Sequence, residues 1–412
     1  MISTRTKIIS AAVNCFRKNP SDTLEKVAEE AGVSRRTLHR YFENREDLIE
    51  SCKNEMLLSC NNAMTLAYES DSDPIKKIRS MLFAAIDQGA NYAFVKRIYE
   101  RSNFSDLDRK KEFESDDKII NMNPYTTENL IKQMPGFSSH FQKVNGIHIH
   151  YVMGGSGEPL ILLPGWPQTW WSYRHIMPLL AEKYSVIAVD LRGMGDSDKP
   201  EEGYSKKNMA DDIMELIATL GYNKVHMAGH DIGANVAYSF AVNHPESIDK
   251  LILLDTPPPD ENMYRLPMLP VGTPVYPWWV AFNQLNDLPA QLLEGRFGLL
   301  LDHLFEKLLI NKKGISDFDR SVYLQHYNHK ENIRAANAWY QTFGQDIAEH
   351  KSSSKIKNPT MGIASSANYD ILDNFLSHNA HEHEMMEIKN CGHFLQEERP
   401  EQIIRAISDF LN

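Results

Sequence analysis

The chain is poor in cysteine: four stand in 412 residues, at Cys15, Cys52, Cys60 and Cys391, and no two are spaced as a close pair or as metal ligands. That sparseness excludes a disulfide-stapled secreted fold and makes a reducing compartment the default. Long apolar runs are missing as well. No stretch approaches 18 consecutive apolar residues, so nothing is expected to span a membrane, and the opening MISTRTKIIS lacks the apolar run of a signal peptide. A cytoplasmic setting is therefore the expectation. Positive charge is not in excess: 44 Lys and Arg face 55 Asp and Glu, a net −11, which argues against a chain that coats nucleic acid along its whole length. Internal repeats and low-complexity tracts are not visible. What remains is an ordinary globular composition, 42% hydrophobic and 24% charged, in a length that calls for two or three domains at roughly 150 residues each.

The grammar of the chain changes part-way along. Residues 1 to about 120 place apolar side chains such as Ile8, Ala11, Ala12 and Phe16 at helical intervals, which predicts an all-α half. From about residue 140, short apolar strands (Leu160 to Leu163, Val186 to Val189, Val225 to Met227, Leu251 to Leu254) alternate with helical stretches, the pattern of a doubly wound, mostly parallel sheet. The polar, proline-containing stretch between them predicts a linker at 121–138, separating a helical domain at 1–120 from an α/β domain at 139–412.

Charge is distributed unevenly. Residues 1 to 45 hold nine basic and five acidic side chains, a local +4 inside an acidic protein. Within them TLEKVAEEA at 23 to 31 reads as a short amphipathic helix, Gly32 as a tight turn, and Ser34 as the cap of a second helix, RRTLHRYF at 35 to 42. Leu38 and Phe42 make the side of that helix that faces a core. Arg35, Arg36, Thr37, His39, Arg40 and Tyr41 make the side that reaches base edges and phosphates. The pattern A-x-x-A-G-V-S-x-x-T-x-x-x-Y-F, carried by Ala28, Ala31, Gly32, Val33, Ser34, Thr37, Tyr41 and Phe42, resembles the DNA-binding domain of TetR-family regulators over about 45 residues. The resemblance implies double-stranded DNA as a partner, a homodimer, and a phosphate contact from Arg45, which stands where the family usually carries a lysine. The helices after Asp47 carry no motif and are expected to supply core and interface. They are fewer than the family's usual dimerising bundle needs.

The α/β half carries the chemistry. In KVHMAGHDIGANVAYSF an apolar strand runs into Gly229-His230-Asp231-Ile232-Gly233 and a small-residue helix, the G-x-nucleophile-x-G spacing of a nucleophile elbow with Asp231 at its centre. Glycine on both sides suits a strained turn where backbones approach closely. Upstream, Gly165-Trp166-Pro167 follows a strand directly; downstream, Gly392-His393 falls near the C-terminus. With VIAVDLRGMGDSDKP at 186 to 200, these segments resemble the α/β-hydrolase fold over about 270 residues. Within it they resemble the branch of epoxide hydrolases and haloalkane dehalogenases, whose nucleophile is an aspartate. The resemblance implies oxyanion donors at the backbone N–H groups of Trp166 and Ile232, with His393 as general base. The acid that orients His393 is either Asp255, at the end of LILLD, or Asp370, since about Asn368 occupies the place many hydrolases give to it; Asp255 is favoured.

An aspartate nucleophile speaks about the substrate. Attack by Asp231 on a saturated carbon makes an alkyl ester whose carbonyl belongs to the enzyme, and water activated by His393 can then attack that carbonyl and release an alcohol. Haloalkane dehalogenases usually place Trp after the nucleophile, and fluoroacetate dehalogenases place arginines there; Ile232, Gly233, Ala234 and Asn235 serve neither leaving group. Epoxide opening needs a donor to the ring oxygen, commonly a cap tyrosine, and NAWYQTF offers Tyr340 in a helical cap expected at about 261 to 345. The second donor of related enzymes aligns with Trp279, whose indole can donate but not protonate. Trp166, Trp170 and Trp171 are expected to line the pocket. His378, His381 and His383 read as a solvated loop, His148 and His150 receive no chemistry, and no metal or cofactor is expected. The expected function is a TetR-like module fused to a hydrolase that opens a small apolar epoxide or related alkyl electrophile. The alternatives are a regulator whose hydrolase-like domain senses an inducer, and a hydrolase whose helical half only oligomerises.

Overall fold

The computed structural model describes residues 4–18, 22–45, 47–49, 51–52, 123–265 and 277–412. The chain divides into two compact units, Met1–Asp116 and Asp117–Asn412. The helices, core and interface expected between residues 53 and 120, and residues 266–276 of the expected cap, lie outside the described residues.

In the first unit α1 (Thr4–Lys18), α2 (Leu24–Glu30) and α3 (Arg35–Tyr41) pack around Ile8, Ala12, Phe16, Val27, Leu38 and Phe42. Both short helices are started by hydroxyl caps. The Thr23 side chain accepts from the Lys26 N–H, and the Ser34 side chain accepts from the Thr37 N–H at 3.1 Å, satisfying donors that have no partner within the helix.

The second unit is built on one eight-stranded sheet in the order β1-β2-β4-β3-β5-β6-β7-β8. The strands are β1 Phe137–Val144, β2 Ile147–Gly154, β3 Glu158–Leu163, β4 Tyr184–Val189, β5 Val225–His230, β6 Ile248–Leu254, β7 Thr360–Ser365 and β8 His383–Ile388. The pairings β1 with β2 and β2 with β4 are antiparallel; the others are parallel. β4, β5 and β7 are buried at every residue, as parallel strands covered by helices on both faces must be. Residues 123–138, expected to be a linker, belong to this unit. They include the helix Thr127–Ile131, which buries Leu130 and donates from Thr127 to Asp196 at 2.5 Å, and β1 begins at Phe137.

Between β6 and β7 the chain leaves the sheet and forms the helices Trp278–Asn283, Leu288–Leu293, Phe297–Leu308, Asp317–Tyr327, Lys330–Gln341 and Phe343–Ser352. Buried polar contacts fasten this cap to the sheet unit. Arg174 pairs with Asp319 at 2.8 Å and with Glu397, Lys206 pairs with Asp346 at 2.8 Å, and Trp339 donates to the Arg192 carbonyl at 2.8 Å.

The elbow tolerates no side chain beside it. A Cβ at Gly233 would stand 2.1 Å from the Leu163 carbonyl oxygen, a backbone atom of β3 that cannot rotate away. Gly233→Ala is therefore expected to destabilise the hydrolase unit by about 2–3 kcal/mol, read as a lower denaturant midpoint.

Candidate functional site

Register brings two carboxylates together. His230 ends β5 and Leu254 ends β6, and the two are partners across the parallel pair. The next residues, Asp231 and Asp255, therefore leave adjoining strand ends about 4.8 Å apart. Both turn sharply there, with φ of 53° and 58°, a strained conformation that L-residues adopt rarely. Asp231 directly precedes the helix Ile232–Asn243, so its carboxylate sits at the positive end of that helix. Its carbonyl accepts from Ala234 and Asn235, while the N–H of Ile232, in the first helical position, has no intrahelical acceptor. The Trp166 N–H donates to Asp231 Oδ1 at 2.9 Å, a contact made possible because a Cβ on Gly165 would lie 2.3 Å from Asp231 Cβ.

His393 faces both carboxylates. Its Nδ1 is 2.8 Å from Asp255 Oδ2, and its Nε2 is 3.6 Å from Asp231 Oδ2. The Asp231 side chain keeps 17% exposure and is reachable. Asp255 is fully enclosed and takes two further donors, the Ser365 N–H and Asn368 Nδ2, each at 2.7 Å. Asn368 stands where many hydrolases of this fold carry the acid, and it supports Asp255 instead. Asp370 is exposed in the first turn of the helix Tyr369–Asn379, away from this contact set. Burial opposes a charge on His393, yet its hydrogen bonds and attraction to Asp231 and Asp255 carry its pKa up to about 10. Burial pushes the Asp231 carboxyl up, but the bond and charge of His393 hold it below its ordinary value. The resting pair is an imidazolium beside a carboxylate.

Sequence reasoning missed the groups that hold this loop. His230 is buried; its Nε2 meets the His393 carbonyl at 2.8 Å, and burial and the neighbouring His393 charge lower its pKa to about 4. It is thus neutral, with the proton on the nitrogen that faces the carbonyl. Glu398 accepts from the Gly392 N–H at 3.0 Å, and the His393 N–H donates to Leu308 of the cap at 2.9 Å. The only signal for them was proximity in sequence to the motif residues.

The cap brings Tyr340 to the same place. Its ring meets Trp166 edge-on at 5.6 Å, and its buried hydroxyl has no partner among the described residues. Burial, then the Asp231 charge, raises its pKa well above the usual value, so the phenol keeps its proton. Trp279 is half-buried on the helix Trp278–Asn283, with Trp278 as its ring neighbour at 6.3 Å. Trp170 is not a lining residue: it is fully buried in the core, where its indole donates to Thr127 and its backbone N–H to Asp190. Trp171 likewise gives its indole N–H to Asp319.

On α3, Leu38 and Phe42 are buried, while Ser34, Arg35, Arg36, His39, Arg40 and Tyr41 are exposed and Thr37 is half-buried. Arg35 pairs with Glu25 at 2.9 Å, Arg40 lies over its neighbour Tyr41, and Arg45 stacks on Phe16 with its guanidinium 4.8 Å from the ring centre.

Residues 158–400 match the model of the alpha/beta hydrolase fold family, and residues 8–52 match that of the bacterial regulatory proteins of the tetR family. A soluble epoxide hydrolase of Corynebacterium sp. (strain C12) is 34% identical over 281 residues, 66% of this chain and 96% of that protein. Epoxide hydrolase 1 of Caenorhabditis elegans is 30% identical over 293 residues, 68% of this chain and 71% of that protein. The solved structure of the epoxide hydrolase CorEH without ligand aligns with a TM-score of 0.61 at 33% identity, over 66% of this chain and 98% of its own. The chain belongs to the alpha/beta hydrolase fold family. It is an epoxide hydrolase-like enzyme fused to a TetR-like DNA-binding module. Among the described residues, no helix of this hydrolase is long and apolar enough to cross a membrane.

A Ser–His–Asp arrangement also lies in the hydrolase unit. Ser139 Oγ is 3.0 Å from His150 Nε2, and His150 Nδ1 is 2.7 Å from Asp190 Oδ2. Burial favours neutral His150, but its bond to Asp190 and that carboxylate's charge outweigh this and raise its pKa. Asp190 also takes the N–H groups of Trp170 and Asp196, so this cluster stabilises a buried turn. His148 bonds Asp198 at 3.1 Å, His378 bonds the Asn374 carbonyl and His383 bonds Asp373.

The geometry distinguishes the two candidate acids by experiment. Asp255→Asn is expected to slow turnover at least 100-fold by losing the tautomer and charge that support His393, whereas Asp370→Asn should leave kcat within about twofold. Steady-state kinetics of both variants, with melting curves as the fold control, checks this.

Proposed function

We propose that the hydrolase unit opens an epoxide by covalent catalysis on Asp231 and releases a vicinal diol. The observation that supports this most directly is a reachable carboxylate at a strained elbow, already bonded to an oxyanion donor, with a charged histidine on one side and a buried unpartnered phenol on the other. In the first half-reaction an Asp231 oxygen forms a bond to a ring carbon, the carbon–oxygen bond of the epoxide breaks, and the departing oxygen takes the proton of Tyr340. The carboxylate, held anionic by His393, is ready for that attack at neutral pH.

Alkylation removes the charge on Asp231. His393 then loses one of the two carboxylates that hold its proton, so its affinity for the proton falls; it gives that proton, through solvent, to the Tyr340 phenolate left by ring opening, and the neutral imidazole becomes a base. It takes a proton from water as the water oxygen bonds to Asp231 Cγ. The tetrahedral oxyanion is received by the N–H groups of Trp166 and Ile232, each worth about 3–4 kcal/mol. Collapse breaks the bond between Asp231 Cγ and the diol oxygen, which takes the His393 proton; the carboxylic acid left on Asp231 gives the second water proton to His393, restoring the carboxylate and imidazolium as the diol departs. Asp255 keeps His393 oriented throughout.

The N-terminal unit is read as binding double-stranded DNA with the exposed face of α3, in a homodimer and in a cytoplasmic setting. Exposed Arg36, Arg40 and His39 around a buried Leu38 and Phe42 support that reading. The hydrolase substrate, or an inducer resembling it, is the small-molecule partner.

Two experiments test these readings. His393→Gln should accumulate an enzyme heavier by the mass of one epoxide, with the addition on the peptide bearing Asp231. Asp231→Asn should carry none, and wild-type single turnover in ¹⁸O-water should label that carboxylate; an unmodified His393→Gln protein would sink the ester mechanism. For the DNA face, Arg36→Ala should weaken duplex binding and lower the salt slope of log K by about one. Electrophoretic titration across salt concentrations reads it, and a wild-type chain that binds no duplex at low salt would end the claim.

A further inference from the structure

The chain holds six tryptophans, and three in the hydrolase unit spend their indole N–H on the protein. Trp170 donates to Thr127 Oγ1 at 3.4 Å, Trp171 to Asp319 Oδ1 at 2.8 Å and Trp339 to the Arg192 carbonyl at 2.8 Å. Trp166 differs. It is 4% exposed, and its Nε1 is buried without an acceptor among the described residues. The buried tyrosines repeat the contrast: Tyr173 donates to the Leu163 carbonyl, Tyr323 to Glu397 and Tyr327 to the Gln168 carbonyl, but the Tyr340 hydroxyl has no partner. Leaving a buried donor unpaired costs free energy, and native proteins do it rarely. Here two such donors stand on adjoining rings, 5.6 Å apart between centres. The backbone N–H of the same Trp166 bonds Asp231 at 2.9 Å, and covalent bond lengths keep its indole nitrogen within about 6 Å of that N–H.

We propose that the indole N–H of Trp166 is the second donor to the epoxide oxygen, beside the Tyr340 hydroxyl. The assignment rests on the epoxide-opening reading above and fills the role for which the sequence offered Trp279. An indole donates but does not release its proton at ordinary pH, so the division of labour is chemical. Trp166 hydrogen-bonds the oxygen as charge develops while the ring carbon–oxygen bond breaks, and Tyr340 delivers the proton. One residue then serves both half-reactions, its side chain in ring opening and its backbone N–H in ester hydrolysis.

The test separates the two steps. Trp166→Phe keeps the backbone N–H and most of the ring packing and loses only the indole donor. Rapid-quench single turnovers with styrene oxide, followed by intact-mass detection of the ester on Asp231, give the alkylation rate; decay of that ester gives the hydrolysis rate. Alkylation is expected to fall about 10- to 100-fold, with hydrolysis within about twofold of wild type. Trp166→His, which restores a ring N–H, should recover part of the loss. Unchanged alkylation in Trp166→Phe would overturn the proposal, and so would equal loss in both steps, which would mean a displaced backbone. A wild-type protein that forms no ester at all would overturn the epoxide-opening reading and this assignment with it, an outcome distinct from a variant that matches an active wild type.

Discussion

One imidazole lies between two carboxylates, and its charge depends on both. Burial works against a cation at His393, but Asp255 at 2.8 Å and Asp231 at 3.6 Å together keep the proton in place. Of the two, only Asp231 changes charge during the proposed reaction. In that proposed reaction the same ring, while it holds its proton, keeps Asp231 ionised, and once it has given the proton up it is the base that activates water. That proposed change of role follows from the loss of one negative charge 3.6 Å away.

The rest of the hydrolase unit serves to hold these distances. β5 and β6 present Asp231 and Asp255 from neighbouring ends, His230 and Glu398 pin the His393 loop, and buried ion pairs seat the cap, whose Tyr340 ring lies against Trp166. Buried charges such as Arg174, Asp319 and Glu397 are costly to remove from water and add stability only when well paired. Their position at the junction of cap and sheet makes them better at fixing one arrangement of the cap than at strengthening the fold.

The elbow was legible in the sequence because close backbone approach demands glycine, and the spacing of Gly229, Asp231 and Gly233 leaves few other readings. The helix-turn-helix was legible for a similar reason, a turn and a hydroxyl cap at set offsets. Choosing between Asp255 and Asp370 needed register and exposure, which no spacing supplies: Asp255 ends a strand beside the elbow, and Asp370 points to solvent. The aromatic residues were hardest. Trp166, Trp170, Trp171 and Trp279 look alike in sequence, and only their hydrogen bonds separate a core residue such as Trp170 from Trp166, whose N–H is unspent. The supposed linker concealed the helix Thr127–Ile131, because five residues are too few to establish a period.

The location of the acid has a consequence for how this enzyme could diversify. The proposed nucleophile and acid, Asp231 and Asp255, both precede the cap, which enters the chain after Asp255 and returns at β7. Had the acid followed β7, every insertion or exchange in the cap would have stretched the segment joining the two carboxylates. As built, the two carboxylates precede the lid in the chain, and a foreign lid spliced between them and the histidine would have to resupply both the leaving-oxygen donor and the Leu308 carbonyl that holds the His393 N–H.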